Sequence, residues 1–119
     1  MRDFKNIKAW KHADDLAVAV YSKTGIFPKE EVYGLTSQLR RAAVSAPANI
    51  AEGAGRGTLK EYLHFLYIAR GSLNETGYLI HLSCKLEYFA KKDYEELISL
   101  VTEVSKTLYG LISAVKKEA

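Results

Sequence analysis

Apolar residues recur at helical spacing along almost the whole chain, and four stretches follow this pattern. The spacing predicts helices over residues 7–24, over residues 29–51 or 29–52, over residues 59–88, and from residue 94 onward. Only two prolines interrupt the sequence, which permits long helices. The pattern predicts an all-α fold, an antiparallel up-down-up-down four-helix bundle, with residues 1–119 as a single domain.

Each predicted helix has one apolar face that supplies the candidate core, and the last two helices are predicted to be longer than the first two. The faces consist of Trp10, Ala13, Ala17, Val20 and Tyr21 in the first helix; Val32, Leu35, Leu39, Ala42, Ala46 and Ile50 in the second; Leu59, Leu63, Leu66, Ala69, Leu73, Thr76 and Ile80 in the third; and Tyr94, Leu97, Ile98, Val101, Val104, Leu108, Leu111, Ile112 and Val115 in the fourth.

Capping residues and helix breakers predict where these helices end. Gly25 and Gly53 are expected to close the first and second helices. Thr58 precedes a glutamate at the spacing of a capping box, and Asp93 is expected to be the N-cap of the last helix. Pro47 lies inside the second helix, where its missing amide donor predicts a kink.

Composition narrows the class of protein. With 48% hydrophobic and 26% charged residues, the chain of 119 residues has the composition of a globular domain and differs from that of disordered or collagen-like chains. The single cysteine, Cys84, cannot form an intrachain disulfide, and a lone thiol favours a reducing, cytoplasmic location. The charged first residues do not resemble a signal peptide, and the apolar runs are too short to predict a membrane span. A net charge of +3 permits a nucleic-acid partner.

The second predicted helix and its flanks contain a long specific motif, YGLTSQLRRAAVSAPANIAEGAGR, at residues 33–56. Together with EYLHFL at 61–66 and ARGSLNE at 69–75, this motif resembles the four-helix-bundle family of ribosomal RNA intervening-sequence proteins, some of which are labelled S23 ribosomal protein. The resemblance implies a small bacterial bundle without enzymatic activity. The chain is also similar to accessory proteins of diversity-generating retroelements, which implies a ring-like homo-pentamer and nucleic-acid binding. Ala46 departs conservatively from the motif, at a position where a larger aliphatic residue is expected.

The residues that could support chemistry do not form a complete site. Glu61-x-x-His64 has the spacing of half a di-iron site, but the sequence contains no second such pair. His81-x-x-Cys84 offers two ligands, whereas a zinc site needs three or four. The sequence therefore predicts no catalytic residues, no metal and no cofactor.

A polar stripe lies beside the apolar face of the second predicted helix, and the third helix offers facing polar groups. The seven residues are Gln38, Arg41, Ser45, Asn49, Glu52, Ser72 and Glu75. They predict either a ligand pocket or, as the favoured interpretation, a hydrogen-bonded network that fixes helix register.

Antiparallel topology would gather most of the excess positive charge at one end of the bundle. The eight basic residues expected there are Arg2, Lys5, Lys8, Lys11, Arg56, Lys60, Lys116 and Lys117, against four acidic residues. The opposite end is expected to carry five basic and six acidic residues. Free amides after the loop GAGRG at residues 53–57 suggest a phosphate site. We therefore predict a homo-oligomer that binds RNA or DNA through backbone phosphates; the alternative is a protein-interaction or scaffolding module, for example one serving a reverse transcriptase.

Overall fold

A computed structural model describes residues 2–119 as four α-helices joined by turns. The helices are α1 (Lys8–Lys23), α2 (Leu35–Ala54), α3 (Leu59–Lys85) and α4 (Lys91–Glu118). Short 3-10 turns lie at Phe4–Asn6, Thr24–Ile26 and Lys29–Glu31, and no strand occurs within the described residues. The predicted all-α bundle, with two longer helices at the end, is confirmed.

The helices pack as a closed ring of four neighbours around one core. Helix α1 contacts α2 and α4, and α3 contacts the same two helices from the other side. An ion pair at 2.9 Å joins Lys23 at the end of α1 to Asp93 at the start of α4, so these two helices run antiparallel. The core contains fully buried side chains from all four helices, including Leu16, Leu39, Leu66 and Leu108.

The predicted apolar faces supply most of this core, with two corrections. Tyr21 is half-exposed, and Val32 lies outside α2 with 52% of its surface exposed. Tyr21 lies at the edge of the helix face, where the guanidinium of Arg40 stacks over its ring at 4.7 Å. The pattern also missed buried Leu16, although this residue lies within the predicted first helix.

Helix α2 begins at Leu35, six residues after the predicted start at Lys29. The intervening residues form a 3-10 turn and an irregular turn through Gly34. The carboxylate of Glu31 accepts a hydrogen bond from the Leu35 amide at 3.0 Å and so caps the helix from outside it. This hydrogen bond lowers the pKa of Glu31, and a hydrogen bond from the Tyr88 hydroxyl lowers it further.

Gly53 lies within α2 and does not close the helix as predicted, since Gly55 is the C-cap residue. A Cβ atom at position 53 would lie 2.8 Å from the Phe65 Cβ and 3.0 Å from a ring carbon of Tyr62. The glycine is therefore required by the close approach of α2 to α3. Pro47, by contrast, lies inside α2 as the sequence predicts.

The junction between α3 and α4 differs from its prediction at both ends. Helix α3 ends at Lys85, before the predicted Tyr88, because Glu87 adopts a left-handed conformation with φ of 61°. Helix α4 begins at Lys91 with Ala90 as its N-cap, so Asp93 is not the cap. Asp93 lies in the first turn of α4, where its carboxylate binds Lys23.

Within the described residues, one helix, α4, is long and apolar enough by length and composition to cross a membrane. The sequence pattern had predicted no such segment. Its buried side chains, which include Leu97, Val104 and Leu108, lie on a single stripe as in a helix of a soluble bundle. Glu103 and Lys106 interrupt the opposite, exposed side.

Candidate nucleic-acid interface

The topology brings the start of α1, the α2–α3 turn and the end of α4 to one end of the bundle, which we call the basic end. The Lys23–Asp93 pair fixes the end of α1 beside the start of α4, so α4, the longer of the two helices, runs back toward and past the start of α1. Arg2 reaches the α2–α3 turn directly through hydrogen bonds to Ala54 and Arg56. The predicted grouping of chain segments therefore follows from the fold.

Arg2 is held in place by the end of α2. Its guanidinium donates to the carbonyl oxygens of Ala54 and Arg56, both at 3.3 Å, where helix carbonyls lack intrahelical partners. The same guanidinium stacks over the Tyr62 ring, with its Cζ atom 4.4 Å from the ring centroid. Burial raises the pKa of the Tyr62 hydroxyl, and the neighbouring charge of Arg2 partly opposes that shift. Arg2 is thus a positioned cation.

Arg56 provides a second positioned guanidinium on the same turn. It stacks over the Phe65 ring at 4.6 Å and forms an ion pair with Glu52 at 2.7 Å. Both partners of this pair are more than one third exposed, so solvent screens their attraction. Arg2, Arg56 and the flanking Gly55 and Gly57 line one open hollow of about 580 Å³. Two guanidiniums and a bare glycine backbone are groups that bind phosphate oxygens well.

The start of α3 lies beside this hollow. The Thr58 hydroxyl accepts a hydrogen bond from the Glu61 amide at 3.1 Å and donates to the Glu61 carboxylate at 3.1 Å, so the predicted N-cap is confirmed. The cap satisfies the Glu61 amide and leaves earlier first-turn amides without intrahelical partners. Lys60 projects from this first turn as an exposed side chain.

The other predicted basic residues do not line the hollow. Lys5, Lys8 and Lys11 are exposed on the first turns of the chain. Lys116 and Lys117 are exposed on the last turn of α4. These lysines share the end of the bundle with Arg2 and Arg56, but only the two arginines line the hollow.

At the opposite end of the bundle, acidic side chains neutralise the charge of Lys23. Lys23 binds Asp93 at 2.9 Å and Glu96 at 2.7 Å, and these hydrogen bonds raise the pKa of the lysine. The Tyr88 hydroxyl donates to Glu31 at 2.9 Å, which raises the pKa of the tyrosine. Lys91 and Lys92 are exposed beside these acidic groups.

The polar stripe is only partly joined by hydrogen bonds. Ser45 on α2 meets Ser72 on α3 through their hydroxyls at 2.7 Å, and Asn49 donates to the Ser45 carbonyl at 2.8 Å and hydroxyl at 3.0 Å. Gln38 and Glu75 are exposed. The remaining two stripe residues bind partners four residues away along the chain, Arg41 to Ser37 within α2 and Glu52 to Arg56 on the following turn. The interhelical part of the network is therefore a triad of Ser45, Asn49 and Ser72.

Replacing Asn49 with alanine is expected to lower the free energy of unfolding by about 1 kcal/mol, because the two hydrogen bonds that its half-buried amide donates to Ser45 are lost. Glu52→Ala removes only a solvent-exposed pair and should cost about half as much or less. Urea unfolding measures both, with Asn74→Ala as an exposed control on α3. Unchanged stability of Asn49→Ala, with loss of ligand binding, would instead favour the pocket interpretation.

Candidate metal ligands stay dispersed in the part of the chain that the structure describes. No group of three or more His, Cys, Asp or Glu side chains is placed to hold a metal ion in residues 2–119. His64 lies with an exposed side chain beside Phe65, their rings 5.6 Å apart. Cys84 is a half-buried free thiol.

The sequence predicts that Arg2 and Arg56 lie at the same end of the bundle, as they do in the structure, but does not predict how they are held. Arg56 follows Glu52 by four residues, a spacing that signals their ion pair. Arg2 lies 52 residues from Ala54, so no local signal indicates that contact. The aromatic supports Tyr62 and Phe65 were assigned to no role because both lie on a helix that the apolar pattern already explained.

A family model described as 23S rRNA-intervening sequence protein matches residues 5–110, and the chain belongs to this family. A crystal structure from Bacteroides thetaiotaomicron VPI-5482, described as a protein with unknown function from the S23 ribosomal protein family, has a similar fold. The TM-score is 0.80 at 25% sequence identity, with 87% of this chain and 97% of that chain covered. No curated protein matches the chain significantly.

Proposed function

We propose that the protein is a non-enzymatic, cytoplasmic bacterial homo-oligomer that binds RNA or DNA through backbone phosphates at the basic end. The observation that carries this proposal is the shared hollow of Arg2 and Arg56, each guanidinium stacked on an aromatic ring. Stacking and carbonyl hydrogen bonds reduce the side-chain entropy that phosphate binding would otherwise remove. The family description, which refers to inserts in ribosomal RNA, is consistent with a nucleic-acid context.

Assembly of several subunits would bring several basic ends into one particle. Three tyrosines, Tyr33, Tyr78 and Tyr109, are each more than half exposed, and tyrosine is enriched at protein interfaces. Several basic ends in one particle would contact several phosphates at once, which raises avidity without new contacts. Five subunits follow from the resemblance stated above. Light scattering should give a mass well above the 13.3 kDa of one chain, and a monomer at micromolar concentration would contradict the assembly.

Binding should depend on the basic end and hardly on sequence, because phosphate contacts carry little base information. Arg56→Ala combined with Lys60→Ala is expected to weaken binding to every sequence about equally. Lys91→Ala combined with Lys92→Ala is the matched control, since it removes two exposed lysines beside acidic neighbours. Fluorescence anisotropy with labelled RNA and DNA of several sequences measures the effect. Equal losses from the two double variants would contradict the placement of the site.

A scaffolding function is the second candidate, and exposed apolar side chains favour it. Val18 on α1 and Ile26 after α1 are each more than 60% exposed. Apolar exposure of this kind suits a protein partner, such as a reverse transcriptase, better than phosphate. An oligomer that retains neither RNA nor DNA at low salt would establish scaffolding as the better proposal.

A further inference from the structure

A second hollow lies at the end of the bundle opposite Arg2 and Arg56. It opens between the end of α1, the connecting segment and the first turns of α2, and its volume is about 380 Å³. Helix α1 separates it from the basic end by about 24 Å, the length of 16 helical residues. Its volume lies in the range of pockets that bind small molecules.

Arg40 gives this hollow a positioned positive charge. Its Nε donates to the Thr24 hydroxyl at 2.9 Å, and its guanidinium stacks over the Tyr21 ring at 4.7 Å. Within residues 2–119, no carboxylate lies within 4.0 Å of Arg40, in contrast to Arg56 with its partner Glu52. Arg40 as a whole residue is half-buried, with its bond to Thr24 partly enclosed, and its Nη2 donates to the Tyr21 carbonyl at 3.4 Å on the exposed side. An anion in the hollow would meet a fixed cation without a competing counter-ion.

Thr36 adds an available hydroxyl to the same wall. The residue is 7% exposed and lines the hollow. The Thr36 hydroxyl forms no hydrogen bond within residues 2–119. In the same residues, every side-chain nitrogen or oxygen that is closed off from solvent has a hydrogen-bond partner. The Thr36 oxygen is therefore accessible to solvent, on a residue that lines the hollow. A threonine hydroxyl there can donate to an anionic oxygen.

The rest of the lining is apolar, with one lysine among it. Phe27 is buried and fixed by edge contact with Phe89 at 4.8 Å between ring centroids. Pro28 and Val32 complete an apolar wall, and Lys29 adds a second positive charge. A group that fills this space must combine one anionic head with an apolar body.

We propose that this hollow binds a small-molecule carboxylate with an apolar body, the carboxylate on Arg40 and Thr36 and the body against Phe27, Pro28 and Val32. The site does not depend on nucleic-acid binding, because it uses none of the residues of the basic end. Because Nε and one Nη2 hydrogen already bind Thr24 and the Tyr21 carbonyl, the two oxygens of a carboxylate would match the remaining parallel N–H donors of Nη1 and Nη2.

The probe is phenylacetate, titrated into the ¹⁵N-labelled full chain. Saturable amide shifts are expected at residues 25, 32 and 36, with a dissociation constant in the range of about 1 mM. Phenylacetamide, which lacks the charge, should bind roughly tenfold more weakly or not at all. Inorganic phosphate, an anion without an apolar body, should bind more weakly as well.

Two variants and one control locate the site. Arg40→Met should abolish the shifts. Thr36→Val should weaken binding, and this second variant tests the site independently if the Arg40→Met variant does not fold. Arg70→Met is the matched control. The Cζ atom of Arg70 also lies over a tyrosine ring, 4.9 Å from the Tyr67 centroid, but Arg70 is on α3, away from the hollow. Absence of saturable shifts at about 10 mM phenylacetate would overturn the proposal. Equal binding of phenylacetamide, equal binding of phosphate, or unchanged binding by both site variants would also overturn it.

Discussion

Replacing Gly53 with alanine is expected to lower the free energy of unfolding by about 2 kcal/mol, within the range measured for overpacked sites. The added Cβ would lie 2.8 Å from the Phe65 Cβ, a separation that carbon atoms do not adopt without a shift of the chain. It would also lie 3.2 Å from the Tyr62 carbonyl oxygen, which is backbone and cannot rotate away. The two helices must therefore separate where α2 ends and α3 begins.

The matched control is Gly71→Ala, in the same pair of helices. Position 71 lies inside α3, is exposed, and has open space where the Cβ would be. Alanine has the higher helix propensity, so this variant should be neutral or more stable by up to about 1 kcal/mol. Urea unfolding measures both variants. A Gly53→Ala variant as stable as Gly71→Ala would show that the helices are not as close as the structure has them.

Removing both positioned guanidiniums, by Arg2→Met with Arg56→Met, is expected to weaken nucleic-acid binding by about tenfold or more. A hydrogen bond from a charged donor contributes roughly 1.5–3 kcal/mol, so the loss of one bond already accounts for a factor of ten. Methionine keeps an unbranched side chain over Tyr62 and Phe65 and removes only the charge and donors. Fluorescence anisotropy measures the dissociation constants.

The control for this variant is Arg41→Met with Arg70→Met, which removes two exposed arginines from the middle of α2 and α3. Net charge falls by the same amount in both double variants, so a general loss of attraction would affect them equally. The basic-end variant should lose far more affinity than the control. Similar losses would indicate diffuse attraction to a basic particle instead of a defined site.

The sequence was sufficient to predict the architecture because each helix has a regular apolar stripe. The N-cap at Thr58 and the end of α1 near Thr24 are local signals, and both are confirmed. Errors arose where a distant contact decides the local structure. Glu31 caps α2 from outside the helix, and Asp93 binds Lys23 across the bundle instead of capping α4.

The location of the basic end can be predicted from the sequence, but its geometry and the hollow beside Arg40 cannot. Antiparallel topology alone places Arg2, Arg56 and Lys60 at one end. That Arg2 binds the Ala54 carbonyl at the end of α2, and that Arg40 reaches Thr24, requires contacts across 52 and 16 residues. Helical periodicity carries no information on such pairs, since it describes which face a residue lies on and not which residue it meets.

The salt dependence of nucleic-acid binding tests the central proposal most directly. The logarithm of the association constant should fall linearly with the logarithm of salt concentration for the wild-type protein, on RNA and on DNA. Arg2→Met with Arg56→Met should make that slope shallower by roughly 1.4 to 1.8 for each subunit whose two guanidiniums contact phosphate. A wild-type protein that retains no RNA or DNA at low salt, or a double variant with an unchanged slope, would contradict phosphate binding at the basic end.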